Sequence, residues 1–257
     1  MTGAAGGIGL ALVHRFAAAG MGVVMSDVDA DRLAAAAATV DGEVEAVSAD
    51  VGKARDVDAL AARAVERFGA VDVLCNNAGV TRPGAAWDLD LDEWQWMLSV
   101  NLLGVVHGIR SFVPAMIERA QPAHVVNTAS IGGLLPYAGI AAYSAAKYAV
   151  VGLSESLQLD LRATGAPIGV SVLCPGPIET DFRSNSRALH PAGPSDEPAG
   201  EYEGVTRIPA DEAARVVVEA ILAERFWVLT HPAYAPAIER RARGIVETDE
   251  LVAGDFR

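Results

Sequence analysis

Short apolar runs alternate with amphipathic stretches along nearly the whole chain of 257 residues. Each run is rich in valine or leucine and lacks the polar alternation of a strand that faces water, so it predicts a strand covered on both faces. Strands that alternate with helices form β-α-β units and a parallel sheet. The sequence therefore predicts a doubly wound α/β fold with helices on both faces and strands at residues 23–26, 44–48, 71–75, 124–128, 169–174 and 226–229.

The stretches between these runs follow the helical repeat, and no linker or internal repeat divides them, so we expect a single domain over residues 1–257. Two of the helices, around residues 94–112 and 143–161, carry apolar or small residues on more than one face. One face can pack on the sheet, and the other then needs a second subunit or the chain's own C-terminal segment. We expect a homo-oligomer, a dimer or a tetramer. The helices are predicted at residues 9–19, 30–38, 54–68, 91–119, 143–163, 211–224 and about 235–245.

Residues 182–208 break this pattern, because prolines, glycines and scattered charges replace the periodicity. A long stretch without secondary structure in a compact domain is usually a lid, a binding loop or a disordered segment. It follows the end of a strand, where ligands bind in open α/β sheets. We predict that residues 182–208 form a mobile substrate loop.

The composition excludes several classes of partner. A formal net charge of −13 argues against nucleic acid and against an anionic membrane surface. The sequence shows neither an apolar run of membrane-spanning length nor a signal peptide, so we expect a cytoplasmic protein that does not bind membranes. The two cysteines, Cys75 and Cys174, follow apolar runs and are predicted to be buried thiols, and no close pair of histidines predicts a metal site.

A glycine-rich stretch, Thr2-Gly3-Ala4-Ala5-Gly6-Gly7-Ile8-Gly9, opens the chain ahead of a helical pattern. Glycines at these positions permit a tight turn and a close approach to a pyrophosphate, which the helix N-terminus would bind. Asp27 ends the next strand, where a carboxylate can bind an adenosine ribose and repel a 2′-phosphate. No Lys or Arg lies within residues 4–6 or directly after Asp27, so we predict NAD rather than NADP, with Asp29 as the competing acidic residue.

Tyr143 and Lys147 are spaced four residues apart and share one face of a predicted helix. A nearby ammonium favours phenolate, so we expect Lys147 to lower the pKa of Tyr143 toward working pH and to make it a general acid/base. Ser130, just past a predicted strand, is a third candidate that could bind the substrate oxygen.

Taken together, these motifs resemble the short-chain dehydrogenase/reductase family, and they appear in that family's order and approximate spacing over nearly the whole chain. The resemblance implies a Rossmann-like fold. It rests on T-G-x-x-x-G-x-G at residues 2–9, Asp50-Val51, Asn76-Asn77-Ala78-Gly79, Asn101, Ser130, Tyr143-x-x-x-Lys147 and Pro175-Gly176.

The resemblance also implies roles for the matching residues. The implied catalytic residues are Ser130, Tyr143, Lys147 and Asn101, whose backbone would hold a water against Lys147. Asp50 would contact the adenine, and Asn76 would line the cofactor trough and support the central sheet. The implied cofactor-binding residues are Gly3, Gly7, Ile8, Gly9, Asp27, Asp50, Val51, Asn77, Ala78, Gly79, Tyr143, Lys147, Pro175, Gly176, Ile178 and Thr180.

These features predict an NAD-dependent oxidoreductase that interconverts a secondary alcohol and a ketone, with Tyr143 as general acid/base. An NADPH-dependent carbonyl reductase and a non-catalytic NAD(H)-binding protein are the alternatives. We expect a small-molecule substrate with a hydrophobic or aromatic body. The residues expected to border its pocket are Trp87, Leu134, Leu135, Tyr137 and Phe182.

One feature departs from the family pattern. The family has a strand ahead of the Thr2-Gly3 turn, near the middle of the sheet, and the sequence given begins at Met1. The first strand is therefore expected to be missing, through a start stated too far downstream or through loss of the segment. A variant with a defective cofactor site is the third and less favoured explanation. A chain without that strand is expected to be poorly stable and to bind NAD weakly.

Overall fold

A computed structural model of the chain describes residues 1–191, 193, 206–248 and 251–254. Within these residues the chain forms a parallel sheet flanked by helices, as the sequence predicts. The strands are β1 (Val23–Asp27), β2 (Val44–Ser48), β3 (Val73–Asn76), β4 (Ala123–Thr128), β5 (Ile168–Cys174), β6 (Ile178–Glu179), β7 (Ile208–Pro209) and β8 (Trp227–Leu229).

The helices alternate with these strands, and their bounds lie close to the predicted ones. They are α1 (Gly7–Ala18), α2 (Ala30–Ala37), α3 (Ala54–Phe68), α4 (Leu91–Leu98), α5 (Gly104–Arg119), α6 (Ala141–Thr164), α7 (Phe182–Ala188), α8 (Ala210–Leu222) and α9 (Ala235–Arg243).

Residues 1–4 connect two groups of paired strands. Strand β1 pairs in parallel with β2, and the other group runs in the order β3, β4, β5, β8. Between β1 and β3, the Thr2 amide donates to the Cys75 carbonyl at 3.1 Å, and the Ser26 amide donates to the Met1 carbonyl at 2.8 Å. The backbone of residues 1–4 is thus hydrogen-bonded to the strands on both sides, at the position where the family pattern places a central strand.

The core lies on both faces of the sheet, because successive strand residues point in opposite directions. On β4, Val126 packs into the cluster that holds Leu12 of α1 and Val217 of α8. Its neighbour Val125 packs into the opposite cluster, with residues of α3, α5 and α6. These two layers confirm that β4 is covered on both faces, whereas the residues of β2 are half-buried or exposed.

The predicted helix 91–119 is continuous but not α-helical throughout. Residues Ser99–Leu103 form a π-helical turn between α4 and α5. The Asn101 side chain bonds to the main chain at this turn. Its Nδ2 atom donates to the carbonyl of Met97 in α4 and to the carbonyl of Val80 outside the helix, at 2.9 Å each. A side chain that inserts into the main-chain ladder is a usual cause of such a turn.

By length and composition alone, the helix Leu91–Arg119 could cross a membrane, and core helices of soluble proteins meet the same test. In this fold its side chains at Asn101, Phe112 and Met116 are buried inside the domain.

The prediction of a structureless loop at residues 182–208 is wrong at both ends. Residues 182–188 form α7, and the short strand β7 pairs with β6. The helix was hidden from sequence analysis because its seven residues are rich in serine and asparagine, which have weak helix propensity. Tertiary contacts stabilise it instead, since the buried Ser186 hydroxyl accepts a hydrogen bond from the Thr81 amide at 3.0 Å. Residues 192 and 194–205 of this predicted loop lie outside the described residues.

Candidate active site

A cavity of about 690 Å³ lies at the carboxyl ends of β1, β3, β4 and β5. It extends from Asp27, at the end of β1, to Tyr143 on α6. Most of the predicted site residues line this cavity: Gly3, Gly7, Ile8, Asp27, Asp50, Val51, Asn77, Ala78, Gly79, Ser130, Tyr143, Lys147, Pro175, Gly176, Ile178 and Thr180.

The glycine-rich loop has the geometry of a phosphate cradle. Gly3 and Gly7 adopt φ values of +63° and +54°, which favour glycine. A Cβ atom on Gly3 would lie 2.8 Å from the Ala78 Cα, and one on Gly7 would lie 3.1 Å from the Thr180 Cγ2. Gly6 leaves the N-terminus of α1 without a side-chain cap. The loop therefore fits a pyrophosphate, which helix N-termini bind through free amides.

Gly9 is predicted to bind the cofactor but does not line the cavity. A Cβ atom there would overlap the Gly3 carbonyl. Gly9 is thus needed for the close packing of α1 against the loop, and its place in the motif is explained by packing.

Thr2 and Asn77 hold this loop against the end of β3. The Thr2 hydroxyl accepts hydrogen bonds from the amides of Asn77 and Ala78 at 2.9 and 3.1 Å. The Asn77 carboxamide donates to the carbonyls of Thr2 and Gly3 at 3.1 and 3.3 Å. Two sequence-distant loops are in this way joined into one wall of the cavity.

Asp27 lies where the sequence predicts the adenosine ribose. Its carboxylate accepts hydrogen bonds from the amides of Ala5 and Asp29 at 3.1 and 3.2 Å, which orient it toward the loop. The competing residue, Asp29, caps α2 by accepting from the Arg32 amide at 3.0 Å. Because the Asp29 carboxylate caps the helix, Asp27 is the better candidate for the ribose.

Sequence reasoning missed a cation beside Asp27. The guanidinium of Arg32 lines the cavity, and its Nη2 atom would lie 3.4 Å from a Cβ atom placed on Gly6. The residues directly after Asp27 along the chain include no lysine or arginine. Arg32 is five residues past Asp27, and the first turn of α2 brings it to the loop.

Asp50 and Val51, which the sequence predicts beside an adenine, both line the cavity. The Asp50 carboxylate accepts from the Gly52 amide at 2.9 Å and pairs with Lys53 at 3.1 Å. The Val51 carbonyl contacts the His107 Nδ1 atom at 2.8 Å. These contacts place a carboxylate and an apolar side chain side by side, which suits an amino-purine ring.

At the other end, three predicted catalytic residues meet. Ser130 lies two residues past β4, and its side chain is close enough to the Tyr143 phenol to act on the pKa of that phenol. Lys147, one turn beyond Tyr143 on α6, is only 3 % exposed. Its Nζ atom donates to the Thr128 carbonyl at 2.8 Å and lies 5.7 Å from the centroid of the Tyr143 ring.

Taken together, the protein's own groups do not lower the pKa of Tyr143 toward working pH as the sequence predicts. Burial is the largest influence on that pKa and raises it, while the adjacent Ser130 side chain and the charge of Arg183 act in the opposite direction. Burial also lowers the pKa of Lys147 to about 8, so its ammonium is still mostly charged at neutral pH and loses its charge just above it. The sequence pattern predicted correctly that Tyr143 and Lys147 lie close together. It could not show that both side chains are buried, and burial shifts both pKa values.

Asn101 does not line the cavity, although it lies close behind it. A Cβ atom on Gly79 would lie 3.0 Å from the Asn101 Oδ1 atom and 3.6 Å from the Lys147 Nζ atom. Asn101 is fully buried and also accepts from the Val80 amide at 3.1 Å. These contacts place it in the layer that supports Gly79 and Lys147.

Another wall of the cavity is formed by the segment after β5. The Ile131 amide donates to the Pro175 carbonyl at 2.9 Å, which ties this segment to the Ser130 turn. The Gly176 amide donates to the Thr230 hydroxyl at 3.1 Å. Pro175, Gly176 and Ile178 therefore border the same end of the cavity as Ser130.

Of the five residues expected to border the substrate pocket, only Phe182 lines the cavity; its ring lies 6.1 Å from that of Tyr143. Trp87 is 86 % exposed, whereas Leu135 is fully buried. Leu134 packs in the hydrophobic core, and Tyr137 packs against Gly254. The sequence could not distinguish these orientations, since all five lie near the catalytic residues along the chain or in the predicted topology.

Other residues that line the cavity were not predicted. Trp96 of α4 and Leu189 supply apolar surface, and Arg183 and Arg207 supply positive charge. The charged residues spaced along 181–187 were the only sequence feature that pointed to Arg183. Because α7 was not predicted, the direction of the Arg183 side chain could not be predicted either. Within the residues described, no group of three His, Cys, Asp or Glu side chains is arranged to hold a metal ion.

Comparisons with known proteins agree with this geometry. The family model described as short chain dehydrogenase matches residues 1–190. The chain is 42% identical over 236 residues to a 1-deoxy-11-beta-hydroxypentalenate dehydrogenase of Streptomyces exfoliatus, covering 90% of this chain and 82% of that protein. It is 34% identical over 262 residues to a CLA biosynthesis dehydrogenase/reductase of Lactiplantibacillus plantarum, covering 96% of this chain and 92% of that protein.

A solved structure shows the same fold. A short chain dehydrogenase/reductase from Burkholderia phymatum, crystallised in complex with NAD, superposes with a TM-score of 0.89 at 35% identity. The superposition covers 100% of this chain and 96% of that one. Sequence, fold and site geometry together show that the chain belongs to the short-chain dehydrogenase/reductase family of oxidoreductases.

Proposed function

We propose that the chain is an NAD-dependent dehydrogenase that interconverts a secondary alcohol and its ketone. The observation that carries this proposal is the arrangement of one cavity. It has Ser130, Tyr143 and Lys147 at one end and the Asp27 carboxylate at the other. A dinucleotide is long enough to span such a cavity, with its ribose at the carboxylate and its reactive ring at the phenol.

The glycine-rich loop and the N-terminus of α1 would hold the pyrophosphate of NAD, and Asp27 would bind the adenosine ribose. NAD, when bound, supplies the hydride acceptor or donor. Similarity to a family member crystallised with NAD supports this choice.

Tyr143 and Ser130 would bind the substrate oxygen between them. In ketone reduction, the Tyr143 phenol donates a proton to the oxygen, and burial keeps that phenol protonated at neutral pH. In alcohol oxidation, Tyr143 must first lose its proton, and it then accepts the proton of the substrate hydroxyl. Ser130 would donate a hydrogen bond to the oxygen as negative charge develops there.

The substrate is proposed to carry an apolar or aromatic body. Phe182, Trp96 and Leu189 supply apolar surface to the cavity, and Tyr143 and Phe182 lie edge to face. One relative is named for a hydroxypentalenate substrate, which supports a hydroxylated carbon skeleton.

A second candidate is an NADPH-dependent carbonyl reductase, favoured by one observation. Arg32 lies against the glycine-rich loop beside Asp27 and could pair with a 2′-phosphate. The Asp27 carboxylate argues against NADPH, because it would repel the 2′-phosphate. A purely binding role for the chain is disfavoured because Ser130, Tyr143 and Lys147 line the cavity together, which such a role does not need.

We also propose that the protein is a cytoplasmic homo-oligomer, a dimer or a tetramer. Leu103 and Ile117 of the Leu91–Arg119 helix and Leu159 of α6 are exposed by 44%, 37% and 63%. Exposed apolar residues on these two helices support a subunit interface. Light scattering on the wild type and on Leu159→Glu tests the interface. A charge buried between subunits should weaken their association and so lower the measured molecular mass.

The experiment that tests the main proposal is a titration of NADH and NADPH, followed by fluorescence of the bound nicotinamide. Tighter binding of NADH, and NAD-dependent oxidation of secondary alcohols that Tyr143→Phe abolishes, would support it. Binding of NADPH alone would favour the second candidate. Binding of neither dinucleotide would contradict both.

A further inference from the structure

The side chain of His231 lies behind the wall that follows β5. Strands β5 and β8 are paired in parallel, with Cys174 opposite Leu229. The next residues along each strand therefore lie side by side, which brings Thr230 and His231 against Pro175 and Gly176. Sequence analysis singled out neither Thr230 nor His231.

The contacts between these segments are close and specific. The Thr230 hydroxyl accepts from the Gly176 amide at 3.1 Å and lies 2.7 Å from the His231 Nδ1 atom. A Cβ atom on Gly176 would lie 2.6 Å from that Nδ1 atom and 3.0 Å from the Tyr234 ring. The imidazole therefore packs directly on the Gly176 backbone, in a space that only glycine leaves open.

His231 also faces the return of the chain toward β7. Its Nε2 atom is buried and has no partner at hydrogen-bonding distance and angle. The carbonyls of Pro177 and Thr206 nevertheless lie close enough to favour its protonated form, although burial, the largest influence, lowers the pKa of His231. The Ile208 amide donates to the same Pro177 carbonyl at 3.3 Å. The imidazole thus packs on Gly176 and lies near the segment that leads to β7.

This wall stands at the reactive end of the cavity. The Pro175 carbonyl is bonded to the Ile131 amide, one residue from Ser130, and Pro175, Gly176 and Pro177 all line the cavity. The ring that exchanges hydride must lie near Ser130 and Tyr143, and so beside this wall, whereas the adenosine half lies at Asp27. A shift of the wall would therefore act on one half of the dinucleotide only.

We propose that His231 is a positioning residue, which holds the Gly176 wall through Thr230 and so sets the place of the nicotinamide half of the cofactor. This inference rests on the proposed function, because it assumes that a dinucleotide occupies the cavity. It assigns His231 no contact with the cofactor and no proton transfer.

Two variants separate the hydrogen bond from the volume of the ring. His231→Phe keeps a ring of similar size and removes Nδ1, whereas His231→Asn keeps a polar atom near the Thr230 hydroxyl. Each is titrated with NADH and with ADP-ribose, which lacks the nicotinamide. His14→Asn, on the exposed side of α1, is the control for loss of a histidine.

We expect His231→Phe to weaken NADH binding about tenfold and to change the fluorescence of the bound nicotinamide, with ADP-ribose affinity kept within about twofold. His231→Asn should restore most of the NADH affinity, and His14→Asn should match the wild type. The inference is overturned if His231→Phe binds NADH like the wild type, or if both ligands weaken equally in both variants. A wild type that binds ADP-ribose but not NADH, or neither ligand, would instead contradict the proposed function itself.

Discussion

Lys147 donates a hydrogen bond of 2.8 Å from its Nζ atom to the Thr128 carbonyl, at the end of β4. The ammonium is thereby held at the catalytic end of the cavity by the main chain of the sheet. Its burial lowers its pKa from 10.5 to about 8. A buried cation that is retained at an active site commonly destabilises the folded state while serving function.

This burial predicts a pH-dependent stability difference between the wild type and Lys147→Met. Below pH 8 the folded wild type carries the buried charge, and above about pH 10.5 neither state carries it. The free energy of unfolding of the wild type, relative to the variant, should therefore rise by up to roughly 3 kcal/mol between these limits.

Urea unfolding of both unliganded proteins at pH 7.5, 9 and 10 measures the difference. Burial raises the pKa of Cys75 to about 11 in both proteins, so its contribution cancels. Burial raises the pKa of Cys174 to about 12, above the pH range measured, although the charge of Lys147 acts on this thiol in the wild type only. A difference that stays constant with pH would contradict the burial argument.

Replacing Tyr143 by phenylalanine should remove the transferable proton and little else. We expect turnover to fall by roughly 10² to 10⁴ while the Kd for NADH stays within about twofold. Only the phenol oxygen is removed from the cavity that Ser130 also lines, and the Phe182 ring contact is retained. Steady-state rates and a fluorescence titration check both outcomes; comparable losses in rate and in NADH affinity would show that the phenol has a structural role.

Arg183 should set the pH at which the enzyme oxidises alcohols. Its charge lowers the pKa of Tyr143, against the larger raising effect of burial. Arg183→Met should therefore raise that pKa and move the rising limb of the oxidation profile to higher pH, since Tyr143 must lose its proton first. Arg187→Met, at the last turn of the same helix, is the matched control. Identical pH profiles for the wild type and Arg183→Met would rule out this electrostatic role.

Asp27 and Arg32 should act in opposite senses on cofactor choice. Asp27→Asn removes the carboxylate that repels a 2′-phosphate, so we expect the NADPH affinity to rise by roughly tenfold or more relative to NADH. Arg32→Ala in the Asp27→Asn background should reverse most of that gain, because the guanidinium beside Gly6 is then missing. Arg55→Ala, an exposed residue of α3, is the control. An unchanged NADH to NADPH ratio in Asp27→Asn would refute the assignment of Asp27.

Alanine substitutions at two helical glycines, Gly108 and Gly152, should change the free energy of unfolding in opposite directions. A Cβ atom on Gly108 of α5 would overlap the Asn76 carboxamide, which donates to Asn127 at 2.9 Å within a buried network. Gly108→Ala should lower the free energy of unfolding by roughly 1 to 3 kcal/mol. At Gly152 of α6 a Cβ atom meets nothing within 4 Å, so Gly152→Ala should raise it by up to about 1 kcal/mol. Thermal melts compare the two; equal shifts would show that the Asn76 contact is easily relieved.

Local sequence patterns were sufficient for most elements of the sheet. The runs at 44–48 and 124–128 were predicted within one residue of β2 and β4, because each contains two valines in a short run between helical patterns. The strands β6 and β7 were missed. Each is two residues long, and they pair only because the chain returns from α7.

The catalytic end of the site could be predicted because its key relationship is local. Tyr143 and Lys147 share a helix face through the helical repeat alone, and Ser130 follows a strand. Their protonation could not be predicted, since it depends on burial that no local pattern reports. The same limit applies to Trp87 and Phe182, which were both predicted to border the substrate pocket. In the fold Trp87 is exposed to solvent, and Phe182 lines the cavity.

The sequence by itself determined the order of strands and helices, the glycine-rich loop, and the pairing of Tyr143 with Lys147. Each of these depends on residues that are neighbours along the chain or on a repeat that the backbone imposes. Only the tertiary structure decided which charges enter the cavity and which groups support its walls. Arg32 reaches Gly6, and His231 reaches Gly176, because parallel packing brings together segments that are distant in sequence.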